Sequence, residues 1–175
     1  MHPKHHMEYC PKCAAKQFDF KEFGAFECGS CGFQLFINAS AAVAVFIMDQ
    51  QGRLLLTRRK FDPMAGTLDL PGGFVDPMEK GEDACRREIQ EELNLSLDEL
   101  SYIGSFPNEY VYKGMSYYTL DLAYTAVVND FTPLKVADDV AEALFLYPEE
   151  IKLEEIGLGS IKVMLQEFMI QNKRP

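Results

Sequence analysis

Four cysteines fall in two short pairs, "CPKC" (Cys10, Cys13) and "CGSC" (Cys28, Cys31), with fourteen residues between them. Each pair can offer two thiolates to one ion, and the stretch between is long enough for a hairpin that brings the pairs together. A tetrahedral Zn²⁺ site suits four thiolates at this spacing. A single iron fits the same cage, and two disulfides use the same residues, although a reducing cytosol disfavours them. With every position filled by protein no place remains for water. The site therefore reads as structural, with metal binding supplying folding energy to a segment too short for its own core. Phe18, Phe20, Phe23, Phe26 and Phe33 are the candidates to pack around it. The fifth cysteine, Cys85, lies at i, i+4, i+8 with Ile89 and Leu93, an apolar helical stripe, and reads as a packing residue and not a nucleophile. His2, His5 and His6 are able to take up stray metal, but they lie in a terminus expected to be flexible.

The second group of chemistry-bearing residues is acidic. From Gly72 to Leu95 the chain reads "GGFVDPMEKGEDACRREIQEELNL", five Glu and two Asp in 24 residues. Like charges three and four apart on a helix repel by roughly 0.2–0.5 kcal/mol per pair, so a neutralising partner is expected. Glu88, Glu91 and Glu92 stand at i, i+3 and i+4 and share one helix face. Arg87, four before Glu91, can orient a carboxylate through paired hydrogen bonds. Glu79 precedes the helix, and Gly72 and Gly73 let the loop pass close to whatever the helix holds. Carboxylates with a backbone carbonyl make an all-oxygen cage suited to Mg²⁺ or Mn²⁺. Taken alone, "RREIQEEL" also describes an ordinary solvated charged helix.

The elements that must position these groups follow from pattern. Residues 1–9 read as a flexible tail, 10–36 as the cysteine ribbon and 37–175 as one main domain. "AAVAVFIMD" and "RLLLTRR" read as strands joined by "QQG", and "TLDLPGG" as a strand entering a glycine turn. The acidic helix starts near Glu82. "LSYIGSF", "MSYYTLDLAYTAVV" and "EALFLY" read as strands, and "PEEI" as a helical turn with Pro148 near its start. "GSIKVMLQEFMIQNK" spaces Ile161, Leu165, Phe168 and Met169 as an amphipathic helix. Mixed strands with two principal helices predict an α/β sandwich and not a doubly wound fold.

The 175 residues are 47% hydrophobic and 25% charged, with a net charge of −10. That balance argues against a nucleic-acid polymer as the main partner, since phosphate backbones need a basic footprint. A small phosphorylated ligand stays possible if metal ions bridge it to the protein. The longest uncharged apolar run, Phe33 to Met48, contains Gln34, Asn38 and Ser40 and reads as strands, so no membrane partner is expected. "MHPKHHM" has no apolar run after it, so it is not a secretory signal, and a cytoplasmic location is the default expectation.

The longer pattern is Gly73, five residues, Glu79, seven residues, then "REIQEELNL". It resembles the Nudix box, G-x5-E-x7-R-E-U-x-E-E-x-G-U, with U a bulky aliphatic residue. Gly73, Glu79, Arg87, Glu88, Ile89, Glu91, Glu92 and Leu95 match, eight of nine fixed positions. Asn94 replaces the last Gly, at a position after the helix that needs the left-handed conformation, where Asn is the usual second choice.

The resemblance implies an α/β/α sandwich with a mixed sheet, from about Ala39 to the last helix, preceded by a small zinc ribbon. It also implies Mg²⁺-dependent hydrolysis of a pyrophosphate bond in a nucleoside diphosphate linked to another moiety, of ADP-ribose, dinucleotide or sugar-nucleotide type. By position, Glu88, Glu91, Glu92 and the Gly72 carbonyl look like Mg²⁺ ligands, and Glu79 with Arg87 like a pair holding the loop on the helix. A four-cysteine ribbon directly before the domain is similar to the branch related to NADH pyrophosphatase. In that branch a Glu on a later strand binds metal, which Glu142 of "AEALFLY" resembles. The branch's S-Q-P-W-P-F-P-x-S stretch is reduced here to "SFPNEYVY", keeping Ser105 and Pro107, and the chain has no Trp. The general base is either Glu91 or Glu142. Arg58 or Arg59 is placed to reach a phosphate, and Tyr110, Tyr112 and Phe106 either stack on a base or pack in the core. The resemblance suggests a homodimer. The other reading is a nucleotide-metabolite sensor without catalysis, against which the complete acidic set argues.

Overall fold

A computed structural model describes residues 2–171. The chain divides into two compact units: residues up to Ala39 with Glu109–Tyr118, and Ser40–Asn108 with the residues from Thr119 onward.

In the first unit, β1 (Phe18–Phe20), β2 (Ala25–Cys28) and β3 (Gln34–Phe36) form an antiparallel sheet. Phe18 and Phe26 are buried with Cys10 and Cys28, and Phe20, Phe33, Leu35 and Met7 pack around them. Phe23 stays outside this cluster, exposed beside Phe36. The residues read from sequence as a tail carry a single 3-10 turn at Pro3–His5, with Pro3 buried and the His2 ring 5.0 Å from Phe20.

The second unit is built on two strands buried on both sides. β4 (Ser40–Ile47) sends Val43, Val45 and Ile47 into one apolar cluster and Ala44 and Phe46 into another. β5 (Leu54–Arg59) alternates in the same way, Leu55 against Leu54 and Leu56, as the two-residue period of a strand dictates. The first cluster is closed by α1 (Gly81–Leu93) through Ala84, Cys85, Ile89 and Leu93. The second is closed by α2 (Gly159–Gln171) through Ile161, Met164 and Leu165, with Phe168 and Met169 partly buried. The two helices thus cover opposite faces, an α/β/α sandwich. Asn172 and Lys173, read from sequence as part of the last helix, lie outside the described residues.

The short β6 (Leu68–Asp69) pairs with β5, which pairs on its other side with β9 (Val140–Leu146). β4 runs parallel to β8 (Met115–Ala126), which is flanked by β7 (Leu100–Tyr112). Lys113 and Gly114, both left-handed, join β7 to β8, the conformation a two-residue hairpin turn requires. The "PEEI" turn is the 3-10 segment Pro148–Glu150. No helix among the described residues is long and apolar enough to cross a membrane.

"TLDLPGG" does more than end in a turn. After Asp69 the chain leaves β5 and crosses to β4, where the Val45 and Val43 N–H groups donate to the carbonyls of Pro71 and Gly73 at 2.9 and 2.8 Å. A Cβ on Gly72, whose φ is +141°, would stand 2.2 Å from the Val43 carbonyl oxygen. Only glycine allows the crossing.

α1 ends at Asn94, in the left-handed conformation with φ 54°. Its amide is held on both sides: the oxygen accepts from Gln90 at 2.8 Å and the nitrogen donates to the Pro133 carbonyl at 3.0 Å. These bonds offset the cost of a side chain at a glycine position. Asn94→Ala is expected to lower unfolding free energy by about 1 kcal/mol, and Asn94→Gly to stay within about 0.5 kcal/mol of wild type. Urea denaturation measures both, and equal losses in the two variants would contradict this account of the cap.

Candidate functional site

One guanidinium organises the acidic helix. Arg87 Nε and Nη2 each donate at 2.8 Å to the two oxygens of Glu79. Nη1 donates to Glu88 at 2.7 Å and to Glu91 at 3.2 Å, and Nη2 also donates to the Phe74 carbonyl at 2.9 Å. A guanidinium has five N–H donors in a rigid fork, and all five are used. The paired bonds to Glu79 tie the loop to the helix, and Glu79 also accepts the Asp76 N–H at 2.9 Å. Arg87 is the main reason the Glu79 carboxyl is held down at about 2.

Deeper in, Glu92 is 4% exposed and accepts the Gly72 N–H at 3.1 Å. The partner switch of "TLDLPGG" explains this contact, because Pro71 and Gly73 give their carbonyls to β4 while the Gly72 N–H turns to the helix. Burial, and then the neighbouring Asp139 carboxylate, push Glu92 up to about 9. Glu88 is raised as well, chiefly by burial and against the pull of Arg87. Glu91 is about half exposed. A Cβ on Gly73 would fall 2.6 Å from the Glu88 carboxylate, so this glycine keeps open the space beside the acids. An all-oxygen donor set with surplus negative charge and a cradle that a methyl group would fill suits a hard divalent cation.

Asp139, the neighbour that helps raise Glu92, was not singled out from sequence. It stands just before β9, after Asp138 in a left-handed turn with φ 51°. The available signal was an Asp-Asp pair at the mouth of a strand. Glu142, singled out from sequence, lies opposite Arg58 across the β5–β9 ladder, its carboxylate accepting from Arg58 Nε at 3.0 Å and about half exposed. Arg58 also donates to the Gly66 carbonyl. Arg59 donates to Asp69 at 2.7 Å and to the Pro63 carbonyl at 2.8 Å. Both arginines therefore brace the 60–67 loop. Tyr110 and Tyr112 belong to the first compact unit, where their rings lie 5.7 and 6.2 Å from Tyr117. Phe106 packs on the second apolar cluster. Cys85 is fully buried and its thiol is pushed up to about 12, mainly by that burial, as befits a packing residue.

The four ribbon cysteines stand on two matching turns. In each, the N–H of the residue after the second cysteine (Ala14, Gly32) donates to the carbonyl of the first (Cys10, Cys28), at 2.8 and 2.9 Å. Ala14 and Gly32 are both left-handed. The sulfurs of Cys10 and Cys31 are 3.8 Å apart, those of Cys13 and Cys28 3.7 Å, and all four lie within 4.8 Å of one another. A tetrahedron with Zn–S bonds of about 2.3 Å has sulfur–sulfur edges of about 3.8 Å, whereas a disulfide needs about 2.05 Å. The cluster fits a zinc ribbon. The Cys31 N–H directed at Cys28 lowers that thiol to about 7, which favours the ligating thiolate.

Residues 39–166 match the family model of the NUDIX domain, and the chain belongs to the Nudix family. Over 101 residues it is 31% identical to the NAD-capped RNA hydrolase NudC of Haemophilus influenzae, a stretch covering 57% of this chain and 38% of that protein. The chain thus matches well under half the length of that relative. It is 36% identical over 74 residues to the ADP-ribose pyrophosphatase of Methanocaldococcus jannaschii, 42% of this chain and 43% of that one. Among solved structures, a NUDIX hydrolase from Nitrosomonas europaea shares the fold with a TM-score of 0.70 at 20% identity, covering 95% of this chain and 92% of its own.

Glu79 ionises at about 2 in the folded chain, against 4.5 for an unperturbed glutamate. Its folded pKa is depressed, so its contribution to stability is complete above about 4.5 and lost as pH falls through about 2. Glu79→Gln is expected to melt below wild type at neutral pH, with the two melting curves converging in acid. Curves that stay equally separated down to strong acid would argue against the Glu79–Arg87 pair.

Proposed function

We propose that this chain is a pyrophosphohydrolase that cleaves the diphosphate of a nucleoside diphosphate joined to another group, of ADP-ribose, dinucleotide or sugar-nucleotide type, with Mg²⁺ or Mn²⁺. The observation that carries the proposal is Glu88 and Glu92 drawn in beneath the Gly72–Gly73 crossing, with every Arg87 donor already engaged. Two relatives are named for cleaving such nucleotides. The nucleotide is either free or the capped end of an RNA, since one relative is named for NAD-capped RNA and a net charge of −10 does not exclude a substrate held at its cap.

In this reading Glu88, Glu91, Glu92 and the Gly72 carbonyl hold the cations, with Glu142 as a further carboxylate. Bound divalent cations supply positive charge to a diphosphate and make water more acidic. The remaining work belongs to the chain. Arg87 and Glu79 fix the loop on the helix, so that the carboxylates keep their places as substrate arrives. Glu91 and Glu142 are the half-exposed carboxylates with access to a water proton, and one of them is the base. Arg58 reaches a phosphate only by leaving Glu142, which then frees that carboxylate too. Tyr110 and Tyr112 are the aromatic candidates for a nucleoside base.

The Cys10, Cys13, Cys28 and Cys31 cluster is proposed to hold one structural Zn²⁺, with the ribbon bounded by residues 10–36. The purified chain should then carry one zinc per molecule, released by a mercurial and followed with a chromogenic chelator. Cys28→Ser should abolish retention, and full retention by that variant would sink the assignment.

The functional test is a product assay over ADP-ribose, NADH, NAD, sugar nucleotides, dinucleoside polyphosphates, nucleoside triphosphates and NAD-capped RNA, with Mg²⁺ and with chelator. Cation-dependent release of a nucleoside monophosphate is expected from at least one. Glu91→Gln or Glu142→Gln should lose about a hundredfold or more in kcat. Wild-type rates in both variants would refute the choice of base, and binding of a nucleotide without turnover would favour a sensor.

A further inference from the structure

We propose, on the reading of α1 as a cation site, that Arg59 is a positioning residue for that site: through Asp69 it fixes the start of the crossing that brings Gly72 to Glu92.

The two ends of the crossing are held by different means. At the far end the Val45 and Val43 N–H groups donate to the Pro71 and Gly73 carbonyls and seat them on β4. At the near end β6 has two residues and meets β5 at two positions, Thr57 opposite Asp69 and Arg58 opposite Leu68. So short a ladder fixes direction poorly, and a side-chain pair adds to it. Arg59 Nη1 donates to one oxygen of Asp69 at 2.7 Å, and the other oxygen accepts the Leu70 N–H at 2.9 Å. This carboxylate thus joins the end of β5 to the first residue of the crossing. Leu70 is buried in the apolar cluster beneath α2, and the ring of Pro71 locks its own φ. Few free torsions therefore separate Asp69 from Gly72, whose N–H rests on Glu92.

Arg59 is engaged on several sides. Its Nε donates to the Pro63 carbonyl at 2.8 Å, its N–H donates to the Thr67 carbonyl and its own carbonyl accepts the Gly66 N–H. Asp69 is buried, and burial pushes its carboxyl up to about 6 against the pull of Arg59, with a further push from Asp121. Moving Arg59 onto a phosphate would strand this buried carboxylate without a counter-charge, a costly arrangement. Arg58 differs, because its partner Glu142 is about half exposed and water can replace the pair.

The test measures Mn²⁺ binding to the zinc-loaded full chain, from the electron paramagnetic resonance signal of the free ion. ADP binding at saturating Mn²⁺, by equilibrium dialysis, and melting temperature accompany it. The variants are Arg59→Met, the double variant Arg59→Met/Asp69→Asn, Glu92→Gln, and Arg53→Met, which breaks the ion pair with Asp49 between β4 and β5. Arg59→Met is expected to bind Mn²⁺ about tenfold more weakly and to melt below wild type, with ADP affinity at saturating Mn²⁺ close to wild type. The double variant removes the stranded charge and keeps an acceptor for the Leu70 N–H, so it should regain melting temperature but not Mn²⁺ affinity. Arg53→Met should bind Mn²⁺ as wild type does. Wild-type Mn²⁺ affinity in both Arg59 variants, with a loss in Glu92→Gln, would overturn the role of Arg59 alone. Weakened ADP binding at wild-type Mn²⁺ affinity would show a phosphate contact instead and overturn it too. A double variant that regains Mn²⁺ affinity together with melting temperature would reduce the pair to a stabilising one, again against the proposal. Wild-type affinity in Glu92→Gln would overturn the cation site itself. Should Arg59→Met fail to fold, the double variant decides.

Discussion

Arg87 sets the terms on which so many acids can share one helix. Its fork reaches loop and helix at once, and by engaging Glu79, Glu88, Glu91 and the Phe74 carbonyl it reaches the limit of what a guanidinium can donate. The carboxylates are thereby sorted. Glu79, Glu88 and Glu91 have a fixed counter-charge in Arg87. The buried Glu92 is held by the Gly72 N–H and has no ion-pair partner among the described residues. A lysine at position 87 would bring one ammonium and three donors, and could not hold loop and helix together in the same way.

The frame around this group is rigid for simple reasons. β4 and β5 are apolar on both faces, so neither can slip by a residue without exposing a core. α1 is fixed against β4 by Ala84, Cys85, Ile89 and Leu93, which sets the direction of its acid face. The Pro71–Gly73 crossing is tied to that same strand. Loop and helix are thus both referenced to β4, and the distance between the Gly72 N–H and Glu92 follows from packing on one element. Sites mounted on shared rigid elements keep their geometry better than sites made of independent loops.

What was legible in the sequence was local. The cysteine turns, the i, i+3, i+4 set on α1, its packing stripe, the close approach at the glycines and the left-handed end at Asn94 each depend on residues a few positions apart. Spacing therefore reports them. Asp139 was not legible in that way. It reaches Glu92 only because β9 pairs with β5 and the turn before it bonds to the end of α1, and no short-range pattern encodes that pairing. The partners of Arg58 and Arg59 were equally hidden from local spacing: either side of the bulge in the β5–β9 register they pair differently, Glu142 for one and buried Asp69 for the other. The apolar run of β4 marked a strand, but its burial on both faces, and which residue met which helix, depended on the completed sheet.

The division of the chain into units does not follow the order of its residues. β7 and β8 each begin in one unit and finish in the other, and the span Glu109–Tyr118 clusters with the cysteine-bearing segment. There the His2 ring stands 6.1 Å from Tyr118. Cutting the gene at Ser40 would thus not yield a tidy minimal domain. It would take away the segment that an aromatic-rich hairpin clusters with and leave that hairpin under-supported, so shortened versions should be trimmed at both places or at neither.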